Sequence, residues 1–143
     1  MDIVGLIIAG IAYYIIFPIL FISIFIFTRY IRYKNSAYKD TSKNSFFKTI
    51  TDKGNNGEFI TFTYLEKLDF YKRLMTNLYL PKSDGTTTEI DLIMISHKGI
   101  YVFESKNYSG WIYGDERNKN WTQTLKSKKR TSFITPYGKI KDM

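Results

Sequence analysis

Two carboxylates and one ammonium hold most of the chemistry this sequence can offer: Asp91 in Thr88-Glu89-Ile90-Asp91, then Glu104 and Lys106 in Glu104-Ser105-Lys106. Thr86 to Ile95 is rich in Ile, Met and Thr, and Ile100 to Phe103 is wholly apolar or aromatic, so both stretches read as strands. Ser96-His97-Lys98-Gly99 is the turn between them, which makes His97 an exposed turn residue away from the acids. If the hairpin closes through a two- or four-residue loop, Ile95 faces Ile100, Asp91 faces Glu104, and Glu89 faces Lys106. Alternation along each strand then places all four charges on one face, with facing Cβ atoms about 5 Å apart. Carboxylates that close repel one another unless a cation sits between them. A hard divalent ion such as magnesium takes oxygen ligands and is commonly held by one or two carboxylates. A lysine beside it could deprotonate a water as the amine, or as the ammonium stabilise charge on a phosphate. Glu-x-Lys on a strand is more commonly just a solvated face. The argument for a site is the apolar sequence on both sides, because charges embedded in such strands cost free energy to keep.

The elements around this hairpin are expected as follows. Phe59, Phe62 and Leu65, with Ile60, Tyr64 and Leu68, predict a helix from Glu58 to about Phe70, preceded by a turn over Asp52 to Gly57. Glu58 then lies in the first helical turn, where the helix dipole favours a carboxylate, so its position has a purely structural explanation as well. Tyr71 to Leu80 reads as a loop entering a strand that Pro81 ends, and Lys82-Ser83-Asp84-Gly85 as a turn. After Lys106, the residues Tyr108, Trp111 and Tyr113 with Gly110 and Gly114 predict a short strand or hairpin. Trp111 and Trp121 read as core or edge packing, with stacking on splayed bases as the functional alternative.

Several of these residues together carry a resemblance. Lys53-Gly54-Asn55-Asn56-Gly57-Glu58, Asn77-Leu78-Tyr79-Leu80-Pro81, Thr88-Glu89-Ile90-Asp91, His97-Lys98-Gly99-Ile100, Phe103-Glu104-Ser105-Lys106-Asn107, Gly110 and Trp121-Thr122-Gln123 look like the nuclease-related domain, NERD, itself similar to the PD-(D/E)xK nucleases. The match runs from about Lys53 to Pro136. It implies an α/β fold, a restriction-endonuclease-like core of helix, three-stranded meander, then helix and strand. It also implies a magnesium-dependent nuclease in which Asp91 and Glu104 hold the metal, Glu58 is the acidic residue of the first helix, and Lys106 is the catalytic lysine. Where the family has Asn-Pro followed shortly by Gln, this chain has Thr135-Pro136-Tyr137-Gly138 without the Gln. The second helix and fourth strand expected after Pro136 find no residues, so the domain reads as short at its C-terminal end.

Ahead of the domain, Ile3 to Phe27 is a run of 25 residues without a charge, dominated by Ile, Phe and Leu. As a helix it reaches about 37 Å, enough to cross a hydrocarbon core of about 30 Å with some tilt. It has neither the basic start nor the small-residue cleavage site of a signal peptide. The expected organisation is a transmembrane helix over 3–28, a basic juxtamembrane linker over 29–52, and the nuclease-related domain over 53–143. Part of the linker, around Phe46, Phe47 and Ile50, has near-helical spacing. Arg29, Arg32, Lys34, Lys39, Lys43 and Lys48 follow the span and only Asp2 is charged before it, so the C-terminal portion is expected in the cytoplasm.

The formal charge is +8, and all 21 Lys and Arg lie beyond the span. Such a balance favours anionic partners, either nucleic acid or the inner leaflet. Lys126, Lys128, Lys129 and Arg130 fall within five residues and are the candidate phosphate-backbone contact. The absence of cysteine excludes disulfides and thiolate metal sites. Gly54 and Gly57 lack the Gly-Lys-Ser/Thr ending of a nucleotide-binding loop. The alternative to a nuclease is a non-catalytic, membrane-tethered module that binds nucleic acid, anionic lipid or a partner protein. DNA or RNA as substrate, and endo or exo cleavage, stay open.

Overall fold

In the computed structural model residues 2–82 and 84–135 are described, apart from the side chains of Leu6, Ile8 and Ala9. Ser83 and the Pro136-Tyr137-Gly138 stretch therefore lie outside the described residues. The chain divides into two units, Met1–Ala37 and Tyr38–Met143.

The first unit is one helix, α1 (Ile3–Asn35). Asp2 caps it by accepting the Gly5 N–H at 3.0 Å, and Arg32 and Lys34 occupy the last turn, where cations are favoured. Pro18 lies inside it. Large apolar side chains from Ile11 to Phe27 are exposed on every side of the helix, and its length and composition suffice to cross a membrane.

The second unit begins with three helices, α2 (Tyr38–Ser42), α3 (Phe46–Thr51) and α4 (Lys53–Glu66). The stretch read as a linker is thus partly built into the domain: α2 packs against α4 and the first strand, and α3 against α4. Helix α4 starts five residues before the position that periodicity indicates. Asp52 caps it by accepting the Asn55 N–H at 2.8 Å, which offsets the poor helix propensity of Gly54, Asn55, Asn56 and Gly57. Glu58 therefore sits in the second turn, and the helix-dipole account of that residue does not apply.

The first sheet is an antiparallel meander of β1 (Lys72–Pro81), β2 (Thr87–Ser96) and β3 (Gly99–Phe103), in the order β1-β2-β3. Ile95 faces Ile100, as the turn chemistry requires, and the tight turn is closed by Gly99 at a φ of 136°. Thr88, Ile90, Leu92 and Met94 alternate inward along β2. With Tyr38, Phe59 and Phe62 from the helices they make the core.

A second antiparallel sheet follows: β4 (Trp111–Tyr113), β5 (Asn120–Thr124) and β6 (Arg130–Ile134), in the order β4-β5-β6. Only the first of these strands was legible as such. Gly110 enters the sheet at a φ of 84°, and a Cβ there would lie 2.3 Å from the Thr124 carbonyl oxygen. Trp121 covers Gly114 and donates its indole N–H to the Asp115 carbonyl at 2.9 Å, so it is a packing residue. The architecture is a mixed α/β one, an apolar helix followed by a helix-and-sheet domain.

The burial of Leu92, fully enclosed, and of Ile100, 70 % exposed, sets up a contrast on paired strands. In denaturant unfolding of the full chain in detergent, Leu92→Ala is expected to cost about 2–5 kcal/mol. Ile100→Ala is expected to stay within about 0.5 kcal/mol of wild type.

Candidate active site

The β2–β3 ladder ends at Leu92 and Phe103, one pair short of Asp91 and Glu104. Beyond that point the chain leaves the sheet, so Asp91 and Glu104 do not pair as strand residues. Instead Asp91 Oδ2 accepts the backbone N–H of Ser105 at 2.9 Å. The expected facing of Glu89 and Lys106 is likewise absent: Glu89 lies across from Tyr79 of β1 and takes a hydrogen bond from its hydroxyl. Lys106 turns to Glu104, with which it forms an ion pair; the Glu104 side chain is 2 % exposed and that of Lys106 40 %.

The cation that the crowded carboxylates require is therefore present within the chain. Burial pulls Lys106 toward the neutral amine, but its hydrogen bond to Glu104 and the charges of Glu104 and Asp91 outweigh this and hold its pKa above the ordinary lysine value. Lys106 is an ammonium at neutral pH, suited to stabilising negative charge and not to abstracting a proton.

Glu58 approaches the same cluster from α4. Its pKa is pushed up from 4.5 to about 7, first by burial and next by the charge of Asp91, with smaller contributions from Glu89 and Asp52. The Tyr38 hydroxyl opposes the rise, donating to Glu58 Oε2 at 3.3 Å. Tyr38 is fully enclosed, its ring 5.4 Å from that of Phe59 and 5.5 Å from that of Phe62. Its own pKa rises to about 12, chiefly through burial. Helix α4 faces Ser105 through Gly57, where a Cβ would lie 3.7 Å from the Ser105 Cβ, an ordinary packing distance.

A cavity of about 490 Å³ opens beside the cluster, lined by Lys53, Gly54, Gly57, Glu104, Ser105 and Lys106 among others. The structure thus brings Glu58, Asp91, Glu104 and Lys106 together. It places Lys126, Lys128, Lys129 and Arg130 elsewhere, at the β5–β6 turn, where Leu125 N–H donates to the Lys129 carbonyl at 2.9 Å. His97 is exposed in its turn, its ring edge-on to Phe70.

Among the described residues no group of three or more His, Asp or Glu side chains converges as a ready ligand set. The available donors are the oxygens of Asp91 and Glu104, a hard set that suits magnesium, which retains several waters.

Two contributors were given no role in the sequence reading. Tyr38 stands in a stretch whose polar composition conceals a core residue. Asn77, at the position across from Asp91, has a φ of 54°, and its side-chain amide donates to the Ser42 carbonyl at 3.4 Å. The Thr76–Leu92 and Leu78–Ile90 pairs flank it without a register shift. Asn is one of the few residues that tolerates this conformation, which is the signal that its type offered.

Comparison with known proteins bears on the same region. Residues 53–142 match the nuclease-related domain family, NERD. An uncharacterized protein of Bacillus anthracis is 41% identical over 88 residues, covering 59% of this chain. The aligned part spans only 40% of that relative's length. No solved structure matches.

The raised Glu58 pKa fixes the sign of a pH effect. A carboxyl that binds its proton more tightly when folded stabilises the fold below pH 4.5, and that contribution is lost as the pH rises to about 7. Unfolding free energy measured from pH 4.5 to 7 without divalent metal is expected to fall more steeply for wild type than for Glu58→Gln. Tyr38→Phe, which removes the hydrogen bond that favours the carboxylate, is expected to move the Glu58 titration upward in carboxyl-carbon NMR.

Proposed function

The chain belongs to the nuclease-related domain family, and on that premise we propose that it hydrolyses phosphodiester bonds of nucleic acid from a membrane anchor. The single observation that carries the proposal is the gathering of Glu58, Asp91, Glu104 and Lys106, of which Glu104 and Lys106 line a cavity. Asp91 and Glu104 would hold a magnesium ion, which when bound supplies Lewis acidity to the phosphate and lowers the pKa of a water. Ser105 N–H fixes the orientation of Asp91, so this ligand is aimed before any metal arrives. Lys106, kept as an ammonium, stabilises the negative charge that builds on the phosphate oxygens. Glu58, with a pKa of about 7, accepts the proton released by the attacking water, and Tyr38 holds its Oε2 in place. Lys53, at the mouth of the cavity, adds a positive charge for the substrate backbone.

Helix α1 serves as the membrane anchor, and Arg29, Arg32 and Lys34 at its end orient the domain toward the cytoplasm. All 21 basic residues lie on the domain side of that apolar run, which suits a polyanionic substrate.

One observation favours the alternative, a tethered module that binds without cutting: the Glu104 side chain is almost wholly enclosed and already tied to Lys106. A single assay separates the two. The full chain in detergent, given labelled single- and double-stranded DNA and RNA with magnesium, is expected to cleave, and Asp91→Asn to fall to the level of the blank. Equal cleavage by wild type and Asp91→Asn contradicts the assignment, and binding without cleavage by both identifies the module.

A further inference from the structure

The second sheet has one face that nothing in the catalytic cluster uses. Strand alternation places Trp111 and Tyr113 of β4 on the same side, about 6.6 Å apart along the strand, and their partners Thr124 and Thr122 share that side. Arg130 and Ser132 of β6 follow in register. Trp111 is 54% and Tyr113 60% exposed, which is unusual for two large aromatics standing side by side. A cavity of about 570 Å³ lies against Trp111, with Lys126 and Ser127 in its wall. Another, of about 340 Å³, lies among Tyr113, Thr122, Thr124 and Arg130. Each therefore combines an aromatic ring with a cation and a hydroxyl.

We propose that this face of β4-β5-β6 is a platform for single-stranded nucleic acid, with bases stacking on Trp111 and Tyr113 and the backbone phosphates running along Lys126, Lys128, Lys129 and Arg130. Charge complementarity selects the occupant. Four cations cluster at the β5–β6 turn, and none of them is in an ion pair among the described residues. Of the two acids in the β4–β5 connection, Asp115 and Glu116, Asp115 is paired with Arg117 at 3.2 Å. Aromatic rings on a sheet reach the faces of bases only when those bases are unstacked, which favours a single strand over a duplex. An anionic membrane surface also seats Trp and Tyr beside cations. The pairing of each ring with a cation and a hydroxyl on one sheet face favours the single strand, and dependence on strandedness separates the two. The platform deepens the proposed function and rests on it, since it names the form of nucleic acid that is delivered to the cavity.

The test uses the full chain in phosphatidylcholine nanodiscs with EDTA, so that binding is read without cleavage. Fluorescence anisotropy follows a labelled oligothymidylate about 12 nucleotides long and a duplex of equal length. Trp111→Ala is expected to weaken the single strand by about ten- to a hundredfold, with little change for the duplex, and Trp111→Phe to restore most of the loss. Lys128→Gln with Lys129→Gln is expected to weaken binding and reduce the salt slope by about 0.7 per charge removed. Wild-type affinity in Trp111→Ala, or equal affinity for strand and duplex, overturns the platform. So does a loss of binding in Trp111→Ala that Trp111→Phe fails to restore. If the platform fails while Asp91→Asn still abolishes cleavage, the catalytic assignment stands without it. If the Trp111 dependence holds while Asp91→Asn cleaves as wild type, the catalytic assignment falls and the platform remains.

Discussion

The repulsion between Glu58 and Asp91, beside the Glu104–Lys106 ion pair, is the constraint around which the site is arranged. Carboxylates this near one another and partly out of water raise the free energy of the fold unless each is neutralised or given a donor. Asp91 receives a backbone N–H, Glu104 an ammonium, and Glu58 a tyrosine hydroxyl and a proton that it releases only near neutral pH. Each answer has a consequence for the chain. β3 must leave the sheet after Phe103 so that Ser105 N–H can turn to Asp91. Tyr38 must be brought from the segment before the domain proper and sealed between Phe59 and Phe62.

The arrangement is held by three different kinds of force. Apolar burial through Leu92, Ile90, Met94 and the Tyr38–Phe59–Phe62 cluster fixes α4 against the meander. Directed hydrogen bonds, including the Asn44 amide on Asn55 at 2.8 Å, set the start of α4. Electrostatics then tunes the groups that those contacts have positioned, which is why Lys106 stays charged and Glu58 is only half ionised at about pH 7. The second sheet is joined to the region after Lys106 by Tyr108, whose ring packs 4.4 Å from that of Phe133, and by Gln123, which donates to the Ser109 carbonyl at 2.7 Å.

Much of this was legible in the sequence, and the failures have physical causes. Period-two alternation and a turn of known chemistry identified β2, β3 and their register, because both features are local. The apolar run of α1 was legible for the same reason. Pattern could not show where a ladder stops: extending the β2–β3 register by one pair joined Asp91 to Glu104 across a gap that the backbone crosses differently. The start of α4 was missed because an N-cap aspartate overrode four poor helix formers. Tyr38 was missed because it is enclosed by partners about 20 residues away, a tertiary contact that leaves no local pattern. The sheet of β4, β5 and β6 was only glimpsed, since its strands are short and β5 and β6 mix Thr, Ser, Gln and Arg with few apolar residues, leaving little alternation to mark them.

The central claim is that the carboxylate cluster is a metal site with a built-in ammonium, and thermal unfolding of the full chain in detergent, with and without magnesium, tests it most directly. Saturating such a site at about a hundred times its dissociation constant adds about 2.7 kcal/mol, which for a domain of this size raises the midpoint by roughly 10 to 20 °C. The account predicts that shift in wild type and its loss in Asp91→Asn. A midpoint indifferent to magnesium in wild type, or raised equally in both proteins, would contradict it.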